Sequence, residues 1–332
     1  MSLSLAGALR TDTASTIAFT GSGGKTTAIF QLARELKTPV IVAATSHMGV
    51  WQLEKADRHI VAGKLKDIPE LNHDLPQVTL ITGAIEDDRT KPISSEVLEE
   101  VHEFCRSHSL PLLIEADGSR QKPLKAWADH EPPIPDFVDM VVQMIGLNGI
   151  GKPLTEEFVH RAELFAEKSL LNIGDEITSE ALVRFLLHPN NPWDRIPARA
   201  RRVILLNQAD VPTLQSVARG MAHKLFSRFH SVIIASLAQN TVFAVHEPVA
   251  GMILAAGESV RFGKPKQLLD WHGEPFVRTV ARKAIEAGLT PVMVVTGAYA
   301  ASIEPAVTSL DVQIVRNDDW REGQAGSIKA GL

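Results

Sequence analysis

The 332-residue chain is 45% hydrophobic and 22% charged with a formal charge of −5, the composition of a globular protein long enough for two domains. The negative balance argues against a partner held through nucleic-acid phosphates, and no apolar run approaches the roughly 18 residues that span a bilayer. One cysteine, Cys105, excludes an intramolecular disulfide and any multi-cysteine zinc site; with Arg10 following rather than preceding the first apolar stretch, no secretory signal is read and a cytoplasmic location is expected.

Strand-like apolar runs alternate with helix-period segments, the pattern of an α/β protein with a largely parallel sheet. The first run, 16–20, ends in a glycine cluster, FTGSGGKTTAIF (19–30), that opens into a helix at 26–36. Further strands are expected at 39–45, 78–83, 110–117, 138–146, 201–207 and 231–236, and helices at 94–108, 155–171, 178–188 and 213–228. The proline-rich stretch 127–137 reads as a loop beside a sheet edge. Pro248 breaks the pattern, dividing the chain into 1–246 and 247–332. Strands then recur in GMILAAG, PVMVVTG and VQIVRN, with helices at 275–287 and 300–308.

The glycine cluster has the parts of a phosphate loop. Gly21, Gly23 and Gly24 expose backbone N–H groups together with Ser22, Lys25 reaches outer phosphates, the Thr26 hydroxyl serves Mg²⁺, and Thr27 completes the turn. The strict Walker pattern fails because Phe19 stands where glycine is required; a plain strand-to-helix turn is the competing reading. The variant TGSGGKTT resembles the loop of Mur-type peptide ligases. In LLIEADGSRQKPLKAW (112–127), strand alternation puts Glu115 and Asp117 on one face at a strand's C-terminal end, where they could hold Mg²⁺ opposite Thr26; an Asp-Gly turn is the simpler alternative. LLNQAD (205–210) resembles the Asn-Lys-x-Asp element of GTPases, so Asn207 and Asp210 are expected at the nucleotide, although Gln208 replaces the lysine and puts guanine preference in doubt; Asp210 could equally just help start the next helix. His47 in ATSHMGVW sits near the same sheet edge, as a substrate contact or merely solvated. His102, Cys105 and His108 share a helix with Val97, Leu98, Val101 and Phe104, which makes Cys105 a core position rather than a metal ligand, and the arginine-rich stretch 195–202 reads as a solvated lead-in to a strand.

The segments TGSGGKTT, ATSHM, IEADGSRQKPLKAWADHEPPIP, HRAELFAE and LLNQAD together resemble the selenium-dependent hydroxylase accessory protein family, YqeC, over about residues 15 to 245. The resemblance implies a nucleotide-binding P-loop protein that serves maturation of molybdenum hydroxylases, with a hydroxylase apoprotein as partner. MILAAGESVRFGKPKQLLDWHGEPF (252–276) and RNDDWREGQAGSIKAGL (316–332) resemble MobA-like molybdenum-cofactor nucleotidyltransferases. That resemblance assigns Leu254, Ala255, Ala256, Gly257, Arg261 and Lys266 to the nucleotide, Asn317 and Ser327 to its base or ribose side, and molybdopterin to the substrate. The Gly-Asp-x-Pro strand that carries such enzymes' Mg²⁺ ligand does not occur before Leu332, so an incomplete transferase unit is expected. The fold class expected is thus a P-loop NTPase-like, mostly parallel sheet with flanking helices, followed by the first part of a Rossmann-like nucleotidyltransferase domain. The cofactors expected are Mg²⁺ and a nucleoside triphosphate of unspecified base.

Overall fold

The computed structural model describes residues 3–11, 15–62, 75–129 and 131–332, without the side chains of Asp194 and Arg261. The described residues form two compact units, Met1–Glu247 and Pro248–Leu332. In the first, α1 (Leu5–Leu9) precedes β1 (Thr16–Gly21), α2 (Lys25–Glu35), β2 (Val40–Ala44), β3 (Arg58–Val61) and β4 (Val78–Thr82). A hairpin of β5 (Ile85–Glu86) and β6 (Arg89–Thr90) leads to α3 (Ser95–Ser107), β7 (Leu112–Glu115), β8 (Leu124–Lys125), β9 (Met140–Gly146) and β10 (Val159–His160). Then come α4 (Ala162–Ser169), α5 (Ser179–Leu187), β11 (Arg201–Asn207), α6 (Pro212–Leu225), β12 (Ser231–Ser236) and β13 (Thr241–His246).

Nine of these strands make one sheet in the order β13-β12-β11-β9-β1-β7-β2-β4-β3, parallel except for β13. Its inner strands are apolar along both faces, as a sheet covered by helices requires. Ile17 and Phe19 of β1 and Leu113 of β7 face a core shared with α1 and α2, while Ala18 and Ile114 face a core shared with α3 to α6. The sheet is therefore sandwiched between two helical layers, with the C-terminal ends of β1, β7, β2 and β11 along one rim.

Two expectations need correction. The loop at 127–137 ends at β9, an interior strand, not at a sheet edge. The helix expected from 155 begins only at Ala162, because Val159–His160 pairs instead with Leu124–Lys125 and Glu156 accepts the Ala162 N–H at 2.9 Å.

The second unit has a parallel three-stranded sheet, β14 (Gly251–Leu254), β17 (Val292–Thr296) and β18 (Gln313–Arg316), ordered β14-β17-β18. Between β14 and β17 lie a hairpin of β15 (Asp270–Trp271) and β16 (Glu274–Pro275) and then α7 (Phe276–Glu286); α8 (Ala300–Val307) and α9 (Gln324–Ala330) complete it. Its core is small, built on Ala255, Val277, Ala281, Val294, Ile303 and Val307. No helix among the described residues is long and apolar enough to cross a membrane.

Candidate functional site

β1 stops at Gly21 and the chain turns through Ser22, Gly23 and Gly24 into α2. The glycines are there because nothing larger fits. A Cβ on Gly21, at φ 90°, would meet the Met144 carbonyl at 2.4 Å, and one on Gly23, at φ 82°, would meet the Gly146 nitrogen at 2.3 Å. The turn rests on β9: Ser22 N–H donates to the Met144 carbonyl at 3.0 Å. Gly21 N–H donates to Asp117 Oδ1 at 3.0 Å, so neither Gly21 nor Ser22 offers a free amide, contrary to expectation, and the open donors begin at Gly23. The N-terminus of α2 has no side-chain cap and opens on the cleft. Lys25 Nζ donates to the Gly21 carbonyl at 2.5 Å and lies 3.5 Å from Asp117.

The two carboxylates do not pair. β7 ends at Glu115, whose Oε2 accepts from the Thr26 hydroxyl at 3.1 Å. Burial pushes the Glu115 carboxyl above its ordinary pKa, against the pull of Lys25 and the Thr26 hydroxyl, with Asp117 adding to the rise. Beyond Glu115 the strand alternation lapses, and Asp117 turns under the loop. Its oxygens accept from Gly21 N–H, from Thr20 Oγ1 at 3.0 Å and from Lys125 Nζ at 2.8 Å. Asp117 is thus occupied in holding the loop, and of the three expected metal ligands Thr26 and Glu115 remain together at the cleft.

Asn207 also acts on the loop. Its amide donates to the Gly23 carbonyl at 2.7 Å while its oxygen accepts the Leu237 N–H at 3.0 Å. Asp210 accepts a hydrogen bond from Ser236 and is not among the residues lining the cleft. Gln208, held at φ 63°, does line it, and among the described residues its buried Oε1 has no hydrogen-bond partner. The cleft itself measures about 560 Å³. Thr27 and His47 lie on its wall, as do Trp51, Arg89 and Arg120, which the sequence did not single out. No periodic pattern marks them: Trp51 lies in a short helical turn, Arg89 opens β6 and Arg120 sits in the turn after β7. Cys105 is buried in the core of the α3 layer, where burial raises its thiol to about 12. Among the described residues no cluster of three or more His, Cys, Asp or Glu side chains suits a metal.

In the second unit, Ala255 and Ala256 are buried at the end of β14, while Leu254, Gly257 and Lys266 are exposed. The loop between them is held by a residue the sequence reading passed over. Gln267, buried, donates to the Ala255 carbonyl at 3.1 Å and to the Gly257 carbonyl at 3.0 Å. A glutamine between KPK and an apolar pair was its only signal. Leu254, Ala255 and Lys266 border an apolar hollow of about 630 Å³. Asn317 and Ser327 meet, amide to hydroxyl, at 3.0 Å and are both buried. The side chain of Arg261 lies outside the described set.

Comparison with known proteins gives two matches along the chain. Residues 17–163 match the YqeC protein family and residues 251–332 match the MobA-like NTP transferase domain. The chain is 28% identical over 204 residues to "Uncharacterized protein YqeC" of Escherichia coli (strain K12), covering 58% of this chain and 75% of that protein. It is 36% identical over 84 residues to nicotine blue oxidoreductase of Paenarthrobacter nicotinovorans, covering 25% of this chain and 41% of that protein. No solved structure matches. The chain therefore carries a YqeC domain followed by a MobA-like NTP transferase domain.

Proposed function

We propose that the first unit binds a nucleoside triphosphate with Mg²⁺, its phosphates in the loop from Gly21 to Thr27, and that this binding serves maturation of molybdenum hydroxylases. The observation that carries the reading is the junction of loop and strand: Thr26 Oγ1 stands 3.1 Å from Glu115 Oε2 beside an uncapped helix N-terminus. Hydroxyl and carboxylate are hard oxygen donors of the kind Mg²⁺ takes alongside phosphates. Thr26 and Glu115 would hold the ion, which when bound neutralises charge developing on the phosphate oxygens. Lys25 exchanges the Gly21 carbonyl for a phosphate oxygen, and the amides from Gly23 onward receive the others. Asp117 and Asn207 keep the loop in shape.

The test is calorimetric titration of the full chain with MgATP, MgGTP and MgCTP, on a Lys266→Ala background so that the second unit does not contribute. Lys25→Ala is expected to weaken binding by about 2 kcal/mol, roughly thirtyfold. Glu115→Gln is expected to abolish the gain in affinity that Mg²⁺ gives while leaving metal-free binding alone. Unchanged affinity in the Lys25 variant removes the reading.

The second unit favours an added binding site, for CTP or GTP as in nucleotidyl transfer to a molybdopterin-type acceptor, although residues 248–332 hold no Gly-Asp-x-Pro strand for the Mg²⁺ of the transfer step. This rests on the loop from Leu254 to Lys266, which Gln267 holds open at the end of β14. Weak CTP or GTP binding that survives Lys25→Ala, disappears with Lys266→Ala and releases no pyrophosphate supports it; binding indifferent to Lys266, or pyrophosphate release that depends on Lys266, refutes it.

A further inference from the structure

His47 leaves the end of β2 and lines the cleft together with Thr26 and Glu115. Its Nδ1 lies 2.8 Å from the Thr90 carbonyl oxygen, which can only accept. The neutral ring therefore keeps its proton on Nδ1 and presents Nε2 as a proton acceptor. The same hairpin strand that supplies Thr90 supplies Arg89. The adjoining helical turn, Val50–Lys55, carries Trp51, 60% exposed, and Gln52. Gln52 accepts from Gly49 N–H and donates to Thr26 Oγ1, both at 2.9 Å, so this wall is clipped to the threonine of the phosphate loop. Across the cleft, the turn after Gly118 brings in Arg120, held at φ 51°. Lys122 is taken up by Glu156 at 2.8 Å, whereas among the described residues no carboxylate lies within ion-pairing distance of Arg89 or Arg120. Asp88 is the one lining carboxylate besides Glu115.

In the sheet order His47 and Trp51 follow β2 and Arg89 follows β4, on the β7 and β2 side of the loop and away from the β11 corner that carries Asn207 and Asp210, while Arg120 enters from the turn after β7. We propose that this side takes a second substrate, an anionic molecule bearing a planar ring and a hydroxyl, which accepts the γ-phosphoryl group of the triphosphate held in the Gly21–Thr27 loop, a reading that presupposes that loop's function. Trp51 offers an open aromatic face to the ring, and Arg89 and Arg120 answer the negative charge. The hydroxyl oxygen attacks the γ-phosphorus as its proton passes to His47 Nε2. A new O–P bond forms, the bond from the γ-phosphorus to the β–γ bridging oxygen breaks, and the nucleoside diphosphate leaves with that electron pair.

The test uses the full chain and pyridoxine 5′-phosphate as probe, a planar ring with a hydroxymethyl group and a phosphate. Calorimetry first measures a non-hydrolysable MgATP analogue, then the probe on the saturated protein. The probe is expected to bind without displacing the nucleotide, and Trp51→Leu, Arg89→Ala or Arg120→Ala each to weaken it about tenfold with nucleotide affinity within twofold. With MgATP, the probe is expected to accelerate nucleoside diphosphate release and to become phosphorylated. His47→Asn is expected to cut that kcat about a hundredfold while leaving KM for both ligands within twofold. Nucleotide binding with no additional binding of the probe overturns the second-substrate site, as does a probe that displaces the nucleotide, or turnover indifferent to His47. No nucleotide binding at all overturns the phosphate-loop reading instead.

Discussion

Five buried or half-buried charges of alternating sign run beneath the glycine loop. Lys25 faces Asp117 at 3.5 Å, Asp117 pairs with Lys125 at 2.8 Å, Lys125 with Glu131 at 3.1 Å, and Glu131 with Arg161 at 2.6 Å. The Lys125 side chain is wholly inaccessible, yet its ammonium also donates to the Gly118 carbonyl at 2.6 Å, so all three protons have acceptors. A buried charge is tolerable only when so paired. The EADGSR and PLKA segments stand out in the sequence, but not this reason for them: partners 6 to 92 residues apart, in loops without periodicity, leave no pattern to read. His160, beside this line, is pushed down from 6.5 to about 4, first by burial and then by Arg161, Lys125 and Arg120, with Glu131 opposing. A depressed histidine is neutral in the folded chain, and protonation favours the unfolded one. Its contribution is therefore fully present above pH 6.5 and is lost as pH falls from 6.5 towards 4. Urea titrations between pH 7.5 and 4.5 are expected to show stability declining across that window, with a shallower decline in His160→Gln. An unaltered slope in the variant would exonerate His160.

At the level of elements, β1, its turn and α2 were legible because each part obeys a local rule: an apolar run, glycines with positive φ, then a helix period. The hidden part was what the turn leans on. Gly23 must admit the backbone of Gly146 at the end of β9, 123 residues further along. Gly23→Ala is expected to destabilise the fold by roughly 2–4 kcal/mol, since neither φ 82° nor the Gly146 backbone can yield cheaply. Gly118, whose added Cβ would meet nothing within 4 Å, serves as the control: Gly118→Ala is expected to stay within about 0.5 kcal/mol. Chemical denaturation of both variants measures the contrast, and equal losses would mean the loop is not packed as described. β13 and β3 escaped the sequence reading for a related reason. Both are half-exposed edge strands, and β13 pairs antiparallel at a register shift between Ile234 and Ala235 that no propensity foretells.

The whole molecule pairs units of unequal build. The first buries two extended cores on either side of nine strands, whereas the core of the second, among the described residues, is one cluster of six buried apolar side chains beside three strands. Small cores leave little margin over chain entropy. Scanning calorimetry of the full chain is expected to resolve two transitions, the smaller and cooler belonging to residues 248–332, and MgATP is expected to raise only the hotter one. A single cooperative transition contradicts this. The strand order of the first unit bears on how the protein comes into being. β1 is made early, but its neighbours β7 and β9 are drawn from residues 112–115 and 140–146. The Asn207 bond that closes the turn at Gly23 spans 184 residues. On a translating ribosome the apolar strand then stays unpaired until β7 and β9 have emerged, and the glycine turn stays unclosed until some two hundred residues have. Chaperone occupancy of nascent chains is thus expected to peak before β11 appears and to fall once it docks.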